Sequence, residues 1–131
     1  MKNKYLLSLL WVIVSGFGIL MAQEIAIIPQ PAHLIVKNES FKFGKQLKVC
    51  IASYRGDSVT LVFDSFKDDF QKATGIKVTS VRSEAKAGIV LSVNQTLAPE
   101  AYKLDVSPKQ IRIEAARPAG FYYALQTLKQ L

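Results

Sequence analysis

Apolar and polar positions alternate along this chain with a period that changes several times, and each change marks an element. Ile25-Ala26-Ile27-Ile28 is stopped by Pro29-Gln30-Pro31, where two prolines two residues apart force an extended, turn-rich path. Leu34-Ile35-Val36 and Phe41-Lys42-Phe43 then read as short strands of a hairpin about Asn38-Glu39-Ser40, ended by Gly44. Leu47 to Ala52 predicts a further strand, broken at Gly56-Asp57.

From there the period lengthens. Val59, Val62, Phe63, Phe66, Phe70 and Ala73 recur three and four apart, which places one apolar stripe on a helix of about four turns. Asp57 or Ser58 supplies an oxygen for its unpaired first-turn amides, and Gly75 is its natural stop. Ile76 to Val81 and Gly88 to Val93 follow as strands. The clearest hairpin comes next: Tyr102, Leu104 and Val106 alternate with polar residues, a turn contains Pro108, and Ile111 and Ile113 alternate with Arg112 and Glu114. Strands of that kind have one polar face, so the sheet is expected to be wet on one side. Pro118 opens a last helix, where its missing amide is harmless, with Phe121, Leu125, Leu128 and Leu131 on its apolar face.

Tyr122 and Tyr123 point away from that stripe, and the chain ends on Leu131 inside the apolar periodicity, without Gly, Pro or a polar run to stop the helix. The chain is therefore expected either to be truncated or to dock on a partner that covers the two tyrosines.

The N-terminal block changes the picture of location. Lys2 and Lys4 precede an uncharged apolar run from Tyr5 to Met21, so residues 1–22 read as a signal peptide and residues 23–131 as the exported domain, periplasmic or extracellular. Cleavage after Gly18 and after Ala22 are both compatible with the side chains present. An uncleaved anchor is the competing reading, because the run approaches the roughly 17–25 residues of a spanning helix. The cleaved leader is the one adopted, with no stable membrane partner afterwards. Without Lys2 and Lys4 the chain has 15 basic and 10 acidic residues, scattered rather than striped, which argues against nucleic-acid binding.

Little in the chain suggests chemistry. The single cysteine, Cys50, excludes an intrachain disulfide and lies in an apolar strand; the single histidine, His33, lies in a Pro-flanked loop. Asp64, Asp68 and Asp69 form one carboxylate cluster, best read as a solvated helix face with an Asp68–Lys72 ion pair. One His and one Cys give no zinc spacing, and no segment matches a calcium loop. No catalytic, cofactor-binding or metal-binding residue is assigned, and no cofactor is expected.

Two stretches go further. Ile27-Ile28-Pro29-Gln30-Pro31 and Ala119-Gly120-Phe121-Tyr122-Tyr123-Ala124-Leu125-Gln126-Thr127-Leu128-Lys129-Gln130-Leu131 resemble the opening and closing of the N-terminal domain of β-N-acetylhexosaminidases of glycoside hydrolase family 20, as does the hairpin from Glu100 to Ser107. The resemblance spans residues 25–131. The alternating strands and two helices read as an α+β fold with a mainly antiparallel sheet; the resemblance implies that this sheet is solvent-exposed on one face with two helices on the other, those helices packing on a following (β/α)8 barrel through residues Gly120–Leu131. It also implies an exported exo-acting enzyme that removes terminal N-acetylhexosamine, with an adjacent Asp-Glu pair in the barrel doing the chemistry. No Asp-Glu dipeptide occurs in this sequence, so the chain alone is expected to be inactive and to meet glycan only through its barrel. The equivalent domain of a family 84 β-N-acetylglucosaminidase and a stand-alone exported interaction module are the alternatives.

Overall fold

The computed structural model describes residues 27–28, 31–52 and 57–131. The leader, Pro29-Gln30 of the opening motif and the Gly56 break lie outside the described residues. The elements run β1 (Gln46–Ala52), α1 (Asp57–Thr74), β2 (Lys77–Ser80), a short 3-10 turn (Glu84–Lys86), β3 (Ile89–Val93), β4 (Tyr102–Val106), β5 (Ile111–Ala115) and α2 (Pro118–Leu128). The five strands form one sheet in the order β2-β1-β3-β5-β4. With two helices this is the expected α+β class.

Strand direction departs from expectation. β1 runs parallel to β2 and to β3, and β3 parallel to β5; among the described strands only β4 and β5 are antiparallel. The mainly antiparallel sheet is thus corrected to a mainly parallel one. The reason lies in the connections. α1, 18 residues long, carries the chain back from the end of β1 so that β2 starts at the same edge, whereas the short Ser107–Gln110 turn reverses β4 into β5. The buried run Ile89-Val90-Leu91, without alternation, is what a strand covered on both faces looks like.

The opening segment is the second correction. Residues 31–45 form no strand, so the hairpin read from Leu34–Val36 and Phe41–Phe43 is absent. Leu34, Ile35 and Val36 are three apolar residues in a row and offer no single face to bury; they are 49%, 82% and 64% exposed. The segment is held by side chains instead. Phe41 stacks edge-on against Phe43 at 5.1 Å, Phe43 meets Phe70 of α1 at 5.3 Å, and Phe70 meets Phe66 at 5.4 Å.

One core fills the space between sheet and helices. Leu47, Val49, Val78, Ile89, Leu91, Ile111, Ile113 and Ala115 point to one side, where Val59, Phe63 and Phe66 of α1 and Phe121, Ala124 and Leu125 of α2 meet them. The α1 stripe is as expected as far as Phe70; Ala73 is exposed. Gly75 ends the helix with φ +71°, its amide donating to the Gln71 carbonyl at 2.9 Å.

On the other side of the sheet Lys48, Lys103, Asp105 and Arg112 are exposed, and Asp105 faces Arg112 across the ladder as Lys103 faces Glu114. The centre of this face is closed, for Cys50 and Val90 are buried with Ala87 just after the 3-10 turn. The Gln110 side chain pins that turn, donating to the Glu84 and Ala87 carbonyls at 2.8 and 2.9 Å.

Candidate functional site on the closing helix

The side chains of α2 divide sharply. Pro118 occupies the first turn, and Gly120, Phe121, Ala124, Leu125 and Thr127 are buried. The small residues let the helix lie close. A Cβ on Gly120 would sit 2.5 Å from the Ala101 carbonyl oxygen and 2.8 Å from the Ala115 Cβ, so only glycine fits. The opposite side presents Tyr122 and Tyr123, 48% and 38% exposed, with ring centroids 5.6 Å apart in an edge-on pair. Two aromatic rings held side by side on a rigid helix make a ready surface for another protein layer.

The polar residues that close the helix are used internally. The Thr127 hydroxyl and the Tyr102 phenol share a 2.7 Å hydrogen bond. Lys129 donates to Asp69 of α1 at 2.7 Å, and the paired ammonium holds the Asp69 carboxyl below its usual range, mainly by the hydrogen bond and then by charge. The Gln130 amide makes a two-point contact with one residue of the opening segment: its oxygen accepts from the Ile28 amide at 2.9 Å and its nitrogen donates to the Ile28 carbonyl at 3.0 Å. Three residues of the closing motif thereby tie α2 to β4, to α1 and to the start of the fold.

Between α2, β4 and the opening segment lies a cleft of about 1130 Å³, lined chiefly by apolar side chains that include Leu34, Ile35, Tyr102, Leu104, Tyr123 and Leu128. Its polar lining residues, such as His33, Glu39, Glu100 and Lys103, are exposed, and among the described residues no buried side-chain nitrogen or oxygen lacks a partner.

The candidates for chemistry are dispersed. Asp64, Asp68 and Asp69 are all exposed on α1. The expected Asp68–Lys72 pair is not among the ion pairs of the described residues; the pair that forms is Asp69–Lys129, because α2 brings an ammonium to Asp69 from a neighbouring helix. Cys50 is buried on the outer face of the sheet, its thiol 3.6 Å from the Arg82 carbonyl and pushed up by burial and then by Glu84, the opposite of an activated nucleophile. His33 is exposed at the cleft. Among the described residues no three His, Cys, Asp or Glu side chains are placed to hold a metal, and no helix is long and apolar enough to cross a membrane.

A mixed sheet with two helices on one face is also what known proteins match. The family model described as glycosyl hydrolase family 20, domain 2, covers residues 24–131. This chain belongs to that family. Among solved structures, the family 20 exo-β-N-acetylglucosaminidase of Vibrio harveyi in complex with N-acetylglucosamine is 33% identical, with a TM-score of 0.69 over 81% of this chain and 16% of that one. The Streptomyces plicatus N-acetyl-β-hexosaminidase is 27% identical, TM-score 0.68, over 81% of this chain and 21% of its own. The Flavobacterium johnsoniae chitobiase is 25% identical, TM-score 0.68, over 83% and 18%. No curated protein matches the chain significantly. The chain therefore spans about a fifth or less of the enzymes it resembles, as the N-terminal domain of a family 20 enzyme. The family 84 alternative gives way to family 20.

Proposed function

We propose that this family 20 domain is the non-catalytic N-terminal domain of an exported exo-β-N-acetylhexosaminidase, and that it supports a downstream (β/α)8 catalytic barrel which packs on α2 and removes terminal N-acetylhexosamine from glycans. The observation that carries the reading is the exposed pair Tyr122 and Tyr123 on a helix whose other side is fully engaged in the core. A barrel resting there buries both rings and leaves the domain's own packing untouched. Chemistry belongs to the barrel, since the described carboxylates are dispersed: Asp64, Asp68 and Asp69 on α1, Glu84 on the 3-10 turn, Asp105 and Glu114 on the sheet, and Glu39 and Glu100 in loops. Export rests on the basic and apolar pattern of residues 1–22.

The test uses the full-length enzyme. Replacing Tyr122 and Tyr123 together by Asp is expected to lower its melting temperature and its turnover of a nitrophenyl N-acetylglucosaminide while far-ultraviolet circular dichroism stays unchanged. Unaltered melting and turnover would sink the docking role. The 131-residue chain alone is expected to release no nitrophenol. For export, cell fractionation and the mature N-terminus decide: a protein starting after Gly18 or Ala22 outside the cytoplasm supports it, and an intact N-terminus within the cytoplasm refutes it.

A further inference from the structure

We infer that the docking surface for the catalytic domain is not α2 alone but a composite of α2 and the opening segment, and that Gln130 is the latch that holds the two together. This rests on the docking reading above and extends it to Ile28 and residues 31–36.

Four aliphatic side chains of the opening segment stand outward: Ile28 at 78% exposure, Ile35 at 82%, Val36 at 64% and Leu34 at 49%. Leu34, Ile35 and Val36 line one cleft together, and an exposed apolar patch of that kind marks an interaction surface. It adjoins the tyrosine face, because Leu34, Ile35 and Val36 line the same cleft as Tyr123 and Leu128. Nothing in the regular secondary structure fixes this segment there, since residues 31–45 contribute no strand to the sheet. Side chains do so at both ends. Phe41 and Phe43 pack toward the core on one side, and on the other Gln130 uses both ends of its amide on the Ile28 backbone, an arrangement that the isosteric Glu, with no donor when ionised, does not reproduce. Lys37 adds an exposed ion pair to Asp105 of β4 at 2.8 Å.

The occupant we assign is a protein segment of the downstream catalytic domain. The cleft, about 1130 Å³, is larger than the roughly 300–1,000 Å³ of small-molecule pockets. Its polar lining residues, among them His33, Glu39, Glu100 and Lys103, are exposed to solvent, and no buried side-chain polar atom of the described residues is left without a partner to orient a ligand. The family enzymes continue far beyond this domain, which spans only 16–21% of their length, so the neighbouring layer is supplied by the same chain.

Cysteine labelling in the full-length enzyme, read by peptide mass spectrometry, separates the two levels. Ile35→Cys, Tyr122→Cys and, as an exposed control on the far face of the sheet, Lys48→Cys are treated with a maleimide under native conditions. Labelling at position 35 is expected to be at least tenfold slower than at position 48, and Gln130→Ala in the Ile35→Cys background is expected to restore it to within about twofold of the control. Slow labelling at 122 with fast labelling at 35 overturns the composite surface and leaves the docking reading intact. Fast labelling at both overturns both. Slow labelling at 35 that Gln130→Ala does not change overturns the latch, and slowing that disappears on tenfold dilution overturns the assigned occupant in favour of a second copy.

Discussion

Gly120→Ala puts the close approach of α2 to the sheet to a quantitative test. On helix propensity alone the substitution stabilises, by about 1 kcal/mol, because alanine loses less backbone entropy than glycine in a helix interior. The packing says the reverse. The new methyl would lie 2.5 Å from the Ala101 carbonyl oxygen and 2.8 Å from the Ala115 Cβ, one a backbone atom and the other the stub of a strand residue, so neither can swing aside as the tip of a long side chain would. Restoring normal contact requires α2 to lift by roughly 1 Å along its length, loosening Phe121, Ala124 and Leu125 against β5. Overpacking of this kind costs about 1–3 kcal/mol, and contact with backbone belongs at the upper end, leaving about 2 kcal/mol net destabilisation. For a domain of this size that is a fall in Tm of roughly 8–16 °C. Thermal unfolding followed by circular dichroism measures it. A Tm equal to or above that of the parent would show that propensity wins and that the helix does not approach the sheet as described.

Phe121→Asp or Leu125→Asp buries an unpaired charge in the core and is expected to abolish the cooperative melting transition; an ordinary transition with an unchanged midpoint would contradict the packing. Thr127→Val leaves the Tyr102 phenol without its partner and is expected to cost about 1–3 kcal/mol by chemical denaturation, whereas Tyr102→Phe combined with it recovers most of the loss. The Asp69–Lys129 pair predicts a sign for acid: the Asp69 carboxyl is lowered in the fold, so its contribution is present above the unfolded carboxylate range near 3.9 and is lost as pH falls through the folded value. Melting curves between pH 6 and pH 2 should therefore converge for the parent and Asp69→Asn at the acid end; a constant gap would exclude the linkage. Cys50 should resist a thiol reagent until unfolding, and fast native labelling would show that the 3-10 turn does not cover it.

Much of the fold is written locally. The two-residue alternation of Tyr102–Val106 and Ile111–Ala115 became the one antiparallel pair, and the three- and four-residue spacing from Val59 to Phe70 became the buried stripe of α1. What local pattern does not encode is direction, which is set by how far each connection carries the chain. The alternating hairpin suggested an antiparallel sheet, while the parallel pairs left only the continuous apolar run of β3 as a trace. Leu34–Val36 misled because β-branched and aliphatic residues in sequence satisfy strand propensity without giving a face to bury. At the site, the spacing of Phe121, Leu125 and Leu128 turned Tyr122 and Tyr123 outward, and that was legible. The partners of Thr127, Lys129 and Gln130 were not, since a hydrogen bond spanning 102 residues has no local signature.

The strand order has a consequence for synthesis. β5 is the last strand to be made, yet it belongs between β3 and β4, and its inward residues Ile111, Ile113 and Ala115 are exposed by no more than 1%. Until residue 115 has left the ribosome, β3 ends in an open, apolar border and β4 has no neighbour, and until α2 follows, the inner surface of β5 is bare. A nascent chain interrupted before this point presents an unpaired hydrophobic strand rather than a smaller version of the fold, which makes the synthesis of β4, β5 and α2 the interval in which a holdase chaperone protects it best.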